Sequence, residues 1–226
     1  MRRLLKVFVT ILMVLTLVPT SVFAEEDIVE EFMDLQDKVT AVLEVDGDHY
    51  VYSEDEVISA IKAENFDFAA LNEVLGTNYT EDSFIEMALY NIENTELGIR
   101  YTDGSCPVQT RGTYCGRSAY EEGWNYTRTY LTESETDDAI VEIRGLSNEQ
   151  SDYSSIFFIL GDIYPGALGK LFSYIASLGL GISATWNKLY CEALEYNNDL
   201  SSCGTVSDIN KFTYIFDVWN QGNFYE

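Results

Sequence analysis

Histidine is almost missing from this chain, with one residue, His49, in 226. Nucleophilic catalysis by Ser or Cys usually needs a neighbouring base, most often histidine. His49 lies beside an Asp46-Gly47 turn signal, where an exposed turn residue is the ordinary outcome. CxxC spacing is also missing, so the four cysteines lack the histidine and thiol pattern of a zinc site. No GxSxG motif occurs, and no glycine-rich phosphate loop precedes a helix. Gly179-Leu180-Gly181 lies inside a helix-like run instead. Basic residues are scarce: 13 Lys and Arg stand against 38 Asp and Glu, for a net charge of −25. Nucleic-acid binding is driven by neutralising phosphates, so this balance argues against DNA or RNA as partner. It also opposes docking on anionic lipid. Carboxylate pairs of the glycosidase kind arise easily by chance among 38 acids and carry little specificity. An EF-hand counted from Glu44 fails, because its sixth position is His49 and not glycine. No cofactor and no metal is expected.

The N-terminus has the form of a secretory signal. Arg2, Arg3 and Lys6 precede the apolar run Val7–Leu17, and Val22-Phe23-Ala24 fits a cleavage site. Cleavage after Ala24 gives an expectation of secretion and an extracellular location. The acidic charge is uneven. Residues 25–105 carry 22 acids and 3 bases, and residues 106–226 carry 16 and 7. With an even number of cysteines in a secreted chain, disulfides are the default. Cys106, Cys115, Cys191 and Cys203 allow three pairings, of which Cys106–Cys115 and Cys191–Cys203 close the shorter loops.

Pattern along the chain predicts an α+β fold. Glu25–Asp37 reads as an acidic helix, and residues 39–53 as a β-hairpin about Asp46-Gly47. Ser53 and Glu56 have the spacing of a capping box before Val57, Ile58 and Ile61. Helices follow at Phe66–Leu75 and Asp82–Leu97, with Thr80 as a cap for the second and Phe84, Ala88, Leu89 and Ile92 as its inner stripe. Residues 101–118, rich in Gly, Ser and Thr, read as a linker loop between an acidic 25–100 region, a possible pro-region, and a 119–226 domain. Trp124, Tyr126, Arg128 and Tyr130 alternate as in a strand. Trp124, Tyr126 and Tyr130, with Trp219 and further tyrosines, are candidate surface aromatics for a glycan or protein receptor. Ala139, Ile140 and Ile143 mark another helix, and Phe212–Trp219 the second strand of a closing hairpin.

The apolar material is concentrated in two stretches. Tyr153–Ile163 is followed by Tyr164-Pro165-Gly166 and by a central helix expected over about 167–196. Leu171–Asn187 is uncharged between Lys170 and Lys188. Leu171, Phe172, Ile175, Leu178, Gly179, Gly181, Ile182 and Trp186 form its packing or membrane segment. A spanning helix needs about 20 apolar residues, so this run is at the lower limit. Its small residues favour close approach of another backbone, in water or in lipid.

The order of parts resembles a loosely defined set of small secreted proteins of Gram-positive bacteria, some of them bacteriocin-like. The resemblance is carried by VTAVLEVDGDHYVYSEDEV after the leader, the block WNYTRTYLT, the Gly/Ala-rich apolar stretch and the closing FTYIFDVWNQ. It implies an antibacterial, membrane-active role at a target-cell membrane, without identified catalytic residues. The alternative is a soluble extracellular binding module with an aromatic surface.

Overall fold

The computed structural model describes residues 20–102, 115–146, 160–177 and 184–223. The fold is α+β. Two compact units are present, residues 1–44 with 51–89, and residues 45–50 with 90–226. The described parts of the 101–118 segment, residues 101–102 and 115–118, fall inside the second.

In the first unit, α1 (Thr20–Ala41) places Phe32, Leu35 and Val39 on one buried face at spacings of three and four. This helix therefore absorbs Val39 and Ala41, which pattern had assigned to the hairpin. The hairpin, whose residues 45–50 belong to the second unit, is narrower, β1 (Glu44–Asp46) and β2 (His49–Val51), turning through Gly47 at φ +67°. Helix α2 (Glu54–Ala63) buries Val57 and Ile61, but the Ser53 side chain makes no cap hydrogen bond. The capping box expected there is absent. Helix α3 (Phe68–Leu75) is capped by Asp67, whose carboxylate accepts from the Ala69 and Ala70 N–H groups at 3.0 Å. Replacing Asp67 by alanine is expected to cost about 1 kcal/mol, read as a lower urea midpoint. Helix α4 (Glu81–Asn94) is capped as expected, the Ser83 N–H donating to Thr80 Oγ1 at 3.1 Å. The rings of Phe32, Phe66, Phe68 and Phe84 meet at centroid distances of 5.0–6.5 Å and fill the unit's core.

The second unit is built on a five-stranded antiparallel sheet. Its order is β3 (Arg100–Tyr101), β4 (Ala119–Glu122), β5 (Tyr126–Leu131), β6 (Thr205–Asn210) and β7 (Phe216–Asn220). Residues 45–50 belong to this unit but not to this sheet, and the Leu97 N–H donates to Asp48 O at 2.7 Å. Helices α5 (Glu133–Leu146), α6 (Gly166–Ser177) and α7 (Ala184–Asn198) supply the other half of the core. Leu131, Ile209, Phe216 and Val218 pack against them from one sheet face. Ala139 and Ile143 in α5 are fully buried, as the pattern predicted. Gly169 permits the close entry of α6, because a Cβ there would collide with the Tyr164 carbonyl oxygen.

Within the central helix expected over 167–196, the described residues form α6 and α7, and 178–183 lie outside the described residues. Leu171, Phe172, Ile175 and Ala176 are buried in the core. Trp186 stacks on Tyr190 at 4.9 Å and donates its indole N–H to Tyr214 O at 2.7 Å. Leu178, Gly179, Gly181 and Ile182 lie outside the described residues, as does most of 153–163. Among the described residues, no helix is long and apolar enough to cross a membrane.

The cysteine pairing is also different. Cys115 and Cys203 are bridged, 88 residues apart in sequence. Residues 115 and 203 lead into β4 and β6, whose first residues both flank the end of β5. The Gly116 N–H donates to Cys203 O at 2.9 Å, so the backbones are already side by side. This corrects both local pairings, Cys106–Cys115 and Cys191–Cys203. Cys191 is a free, buried thiol on the core face of α7, its Sγ 3.8 Å from the Ile140 carbonyl oxygen. Cys106 lies outside the described residues.

Candidate functional site

Adjacent glutamates on β4 point to opposite faces of the sheet, because side chains alternate along a strand. Each organises its own charged cluster. Glu121 lies on the face away from α5, α6 and α7, in a cross-strand row with Arg128, Asp208 and Asp217. Arg128 grips Asp208 through two parallel N–H bonds, at 2.5 and 2.6 Å, and reaches Glu121 at 2.6 Å. The Tyr130 hydroxyl donates to the same Glu121 oxygen, and the Tyr126 ring stacks 5.2 Å from the guanidinium. Burial is the largest influence and disfavours the Arg128 charge, but the hydrogen bond and charge of Asp208 together with the charge of Glu121 outweigh it and leave the pKa raised. Burial pushes the Asp208 carboxyl up; Arg128 opposes this and Asp217 adds to it. Burial also pushes Tyr126 up to about 12. Every charge in the row has a partner within the row except the exposed Asp217. It is a cohesive strap across the sheet, with no cationic group left over.

Glu122, one residue on, meets two lysines. Lys170 of α6 approaches one carboxylate oxygen at 2.6 Å, and Lys211, in the turn after β6, approaches the other at 3.5 Å. Lys211 is brought there by its backbone N–H, which donates to Asn125 O in the β4–β5 turn at 2.8 Å. Tyr120 is two residues before Glu122 and shares its face. Its ring lies 5.2 Å from the Lys170 ammonium and 5.7 Å from the guanidinium of Arg100, its cross-strand neighbour. Arg100 also pairs with Glu96 at 2.6 Å on the surface. Three cations thus meet two carboxylates. Ten lysines and arginines follow Ala24 in the whole chain, so the gathering of three at one sheet edge is a strong local departure from the acidic surface.

The electrostatics of the cluster follow from its geometry. Burial alone would push Glu122 up, but the hydrogen bonds and charges of Lys170 and Lys211 overcome it and hold Glu122 below its ordinary value of 4.5. Burial lowers Lys211; Glu122 opposes this and neighbouring Lys170 adds to it. Arg100 is raised, chiefly by its hydrogen bond to Tyr120. A depressed carboxylate stabilises the fold above its unfolded value and loses that contribution as pH falls through the folded one. Glu122→Gln is therefore expected to flatten the acid limb of stability below about pH 4.5. Urea midpoints at pH 3.5, 4.5 and 7 check this; parallel curves for the two proteins would refute it.

The other candidate positions behave differently. Trp124 sits in the β4–β5 turn and is buried against Phe212 at 5.7 Å. Tyr130 is fully buried beside Ala119 and Val206. Neither is a surface group: the period-two pattern placed them on one line but said nothing of what covers it. Tyr126 and Trp219 are half-buried. His49 is exposed, with Nε2 3.1 Å from Asp48 Oδ1. A hollow of about 290 Å³ is lined by Arg144, Lys188, Cys191, Glu192 and Glu195. Its thiol is pushed up to about 11 by burial and is protonated at neutral pH, so it offers no thiolate. Arg144 there pairs with Glu195 at 2.7 Å. Among the described residues, no group of three or more His, Cys, Asp or Glu could hold a metal ion.

No family model, curated protein or solved structure matches this chain. The chemistry of the β4 edge therefore carries the functional reading by itself. The edge offers lysine and guanidinium N–H donors around an aromatic ring, and it lacks a nucleophile paired with a base. Such a set can hold a ligand in place. Sequence reasoning singled out none of Arg100, Tyr120, Glu122 or Lys211, and used Lys170 only as the border of the apolar run. The available signal was the scarcity of cations, which makes each one after the leader worth placing.

Proposed function

We propose that the protein is a secreted binding module that engages an extracellular ligand at the β4 edge, through Tyr120, Arg100 and Lys170. The observation that supports this reading is the half-buried cluster itself. Two lysines share one glutamate beside a half-buried aromatic ring, in a chain that is otherwise strongly acidic. Aromatic faces and charge-assisted donors are the usual elements of an orienting site. The membrane-active reading, in which the apolar hairpin 153–190 enters a target membrane, draws no support from α6. Leu171, Phe172 and Ile175 are occupied in the core, where exposing them would cost much of their burial energy.

A binding array tests the proposal. The mature chain, residues 25–226, would be presented to immobilised neutral glycans, acidic glycans and peptides, and in parallel to dye-loaded liposomes. Saturable retention on the array without dye release is expected. Dye release at neutral or acidic pH, with no saturable retention, would overturn the reading in favour of membrane action.

A further inference from the structure

We infer that the outer edge of β7 accepts an added strand: an extended peptide carrying a lysine or arginine opposite Asp217, with apolar residues on either side of it. This surface is separate from the β4 edge and stands on different residues.

The backbone supplies the docking line. β7 is the last strand of the sheet, and among the described residues its only ladder partner is β6. In an antiparallel pair, residues bonded to the partner alternate with residues that turn their N–H and C=O the other way. The phase is set at both ends of this pair. The Asn210 N–H donates to Ile215 O at 2.8 Å, and the Gln221 N–H to Gly204 O at 2.9 Å. Asp217 and Trp219 therefore bond inward, opposite Asp208 and Val206. Phe216 and Val218 direct their N–H and C=O groups outward. An outward row of this kind is a template for strand addition.

Charge selects the partner. Along the cross-strand row Glu121, Arg128, Asp208, Asp217, the signs run negative, positive, negative, negative. Arg128 serves both Glu121 and Asp208. Asp217 is exposed and directly opposite Asp208, where like charges repel. A cation on a sixth strand completes the row. Opposite Asp217 it occupies a non-hydrogen-bonded position, where facing side chains are closest. Its two neighbours on that strand fall on the other face, beside Phe216 and Val218, which are half-buried against the helix-side core. The edge thus fits an apolar–basic–apolar segment. A second copy of the chain fits less well. Two β7 strands paired about Val218 set Asp217 against Trp219, leave both carboxylates without a cation, and bring together two chains of charge −25.

The test is an NMR titration of the mature chain, residues 25–226, with the capped peptide Thr-Val-Lys-Val-Thr. The same peptide with glutamate for lysine, and one N-methylated at both valines, serve as comparisons. Saturable shifts centred on β7, with slowed exchange of the Phe216 and Val218 amides, are expected for the lysine peptide. The glutamate peptide is expected to bind about tenfold more weakly, because an opposite-charge pair becomes a like-charge pair. The methylated peptide, which lacks the two bonding donors, is expected not to bind. Asp217→Lys is expected to reverse the order of the lysine and glutamate peptides. Val218→Pro removes an N–H that the β6 ladder does not use, so it is expected to keep the sheet and lose the peptide. Amide spectra establish that each variant is folded, and the charge reversal at exposed Asp217 decides the matter if the proline variant is not. No saturable binding of the lysine peptide, or shifts centred away from β7, would overturn the surface. Equal affinity for the lysine and glutamate peptides would overturn the partner chemistry. A dimer in sedimentation, with the Phe216 and Val218 amides protected in the absence of peptide, would give the edge to a second copy and overturn the inference as well.

Discussion

Replacing Cys203 by serine is expected to destabilise the second unit by about 4 kcal/mol. The bridge to Cys115 closes a segment of 88 residues. Constraining a loop of that length removes about 4–5 kcal/mol of unfolded-chain entropy in the chain-closure estimate. The folded state needs little adjustment to accept the bridge. Gly116 N–H and Cys203 O are hydrogen-bonded, and Gln221 spans the same corner. Its side-chain amide donates to Arg117 O at 2.8 Å and to Leu131 O at 2.7 Å, while its oxygen accepts from the Arg117 N–H at 2.8 Å. The variant should therefore keep its sheet and lose only its margin. For a chain of this size, 4 kcal/mol corresponds to a fall in Tm of roughly 10 °C. Peptide mapping of the oxidised wild type should recover Cys115 linked to Cys203, with Cys191 alkylated only after denaturation. A Cys191–Cys203 peptide as the main product would contradict the pairing.

Arg128→Leu is the second large effect, about 3 kcal/mol. Removing one partner of a buried ion pair leaves the other charge uncompensated, at about 3–5 kcal/mol when burial is complete. Here the side chains of Arg128, Glu121 and Asp208 are 19%, 12% and 21% exposed, which places the effect at the low end. The loss should depend on pH in a defined direction. Without the guanidinium, Glu121 and Asp208 lose their compensating cation and take up protons more readily when folded. A carboxyl raised in the folded state adds stability as pH falls through its folded value. The deficit of the variant should therefore shrink between pH 7 and pH 4.5. Arg128→Lys keeps the charge but cannot reproduce the two-point grip on Asp208, and should fall between the two. Urea denaturation of the three proteins at both pH values measures this. An equal deficit at both would show that Arg128 acts by packing and not by compensating carboxylates.

Much of the local structure was legible because its signals are local. The stripes Phe84–Ala88–Ile92 and Ala139–Ile143 repeat at the helical period and are buried as expected. Tyr126, Arg128 and Tyr130 alternate on a strand that exists. The Thr80 cap and the break at Tyr164-Pro165-Gly166 also hold. Other signals were local and misleading. Val39 could close a helical stripe or open a strand, and packing against its own helix's core chose the first. Ser53 and Glu56 have the right spacing, yet the cap bond is not made.

The candidate site was not legible for a different reason. Its members come from β3, β4, α6 and the β6–β7 turn, far apart in sequence. Glu122 meets Lys211 only because β5 pairs with both β4 and β6, which brings the two turns together. Sequence spacing carries no trace of that register.

By itself, the sequence determined the α+β class, the acidic character, the scarcity of cations and the positions of most helices and strands. These follow from composition and from periodicities of two and 3.6, which each segment carries alone. Tertiary structure alone decided which cysteines pair, and that Leu171, Phe172 and Ile175 are core. It also decided that Glu121 and Glu122 serve opposite faces with different partners. Each of these depends on which distant segment is adjacent, and adjacency is set by strand order and helix packing together.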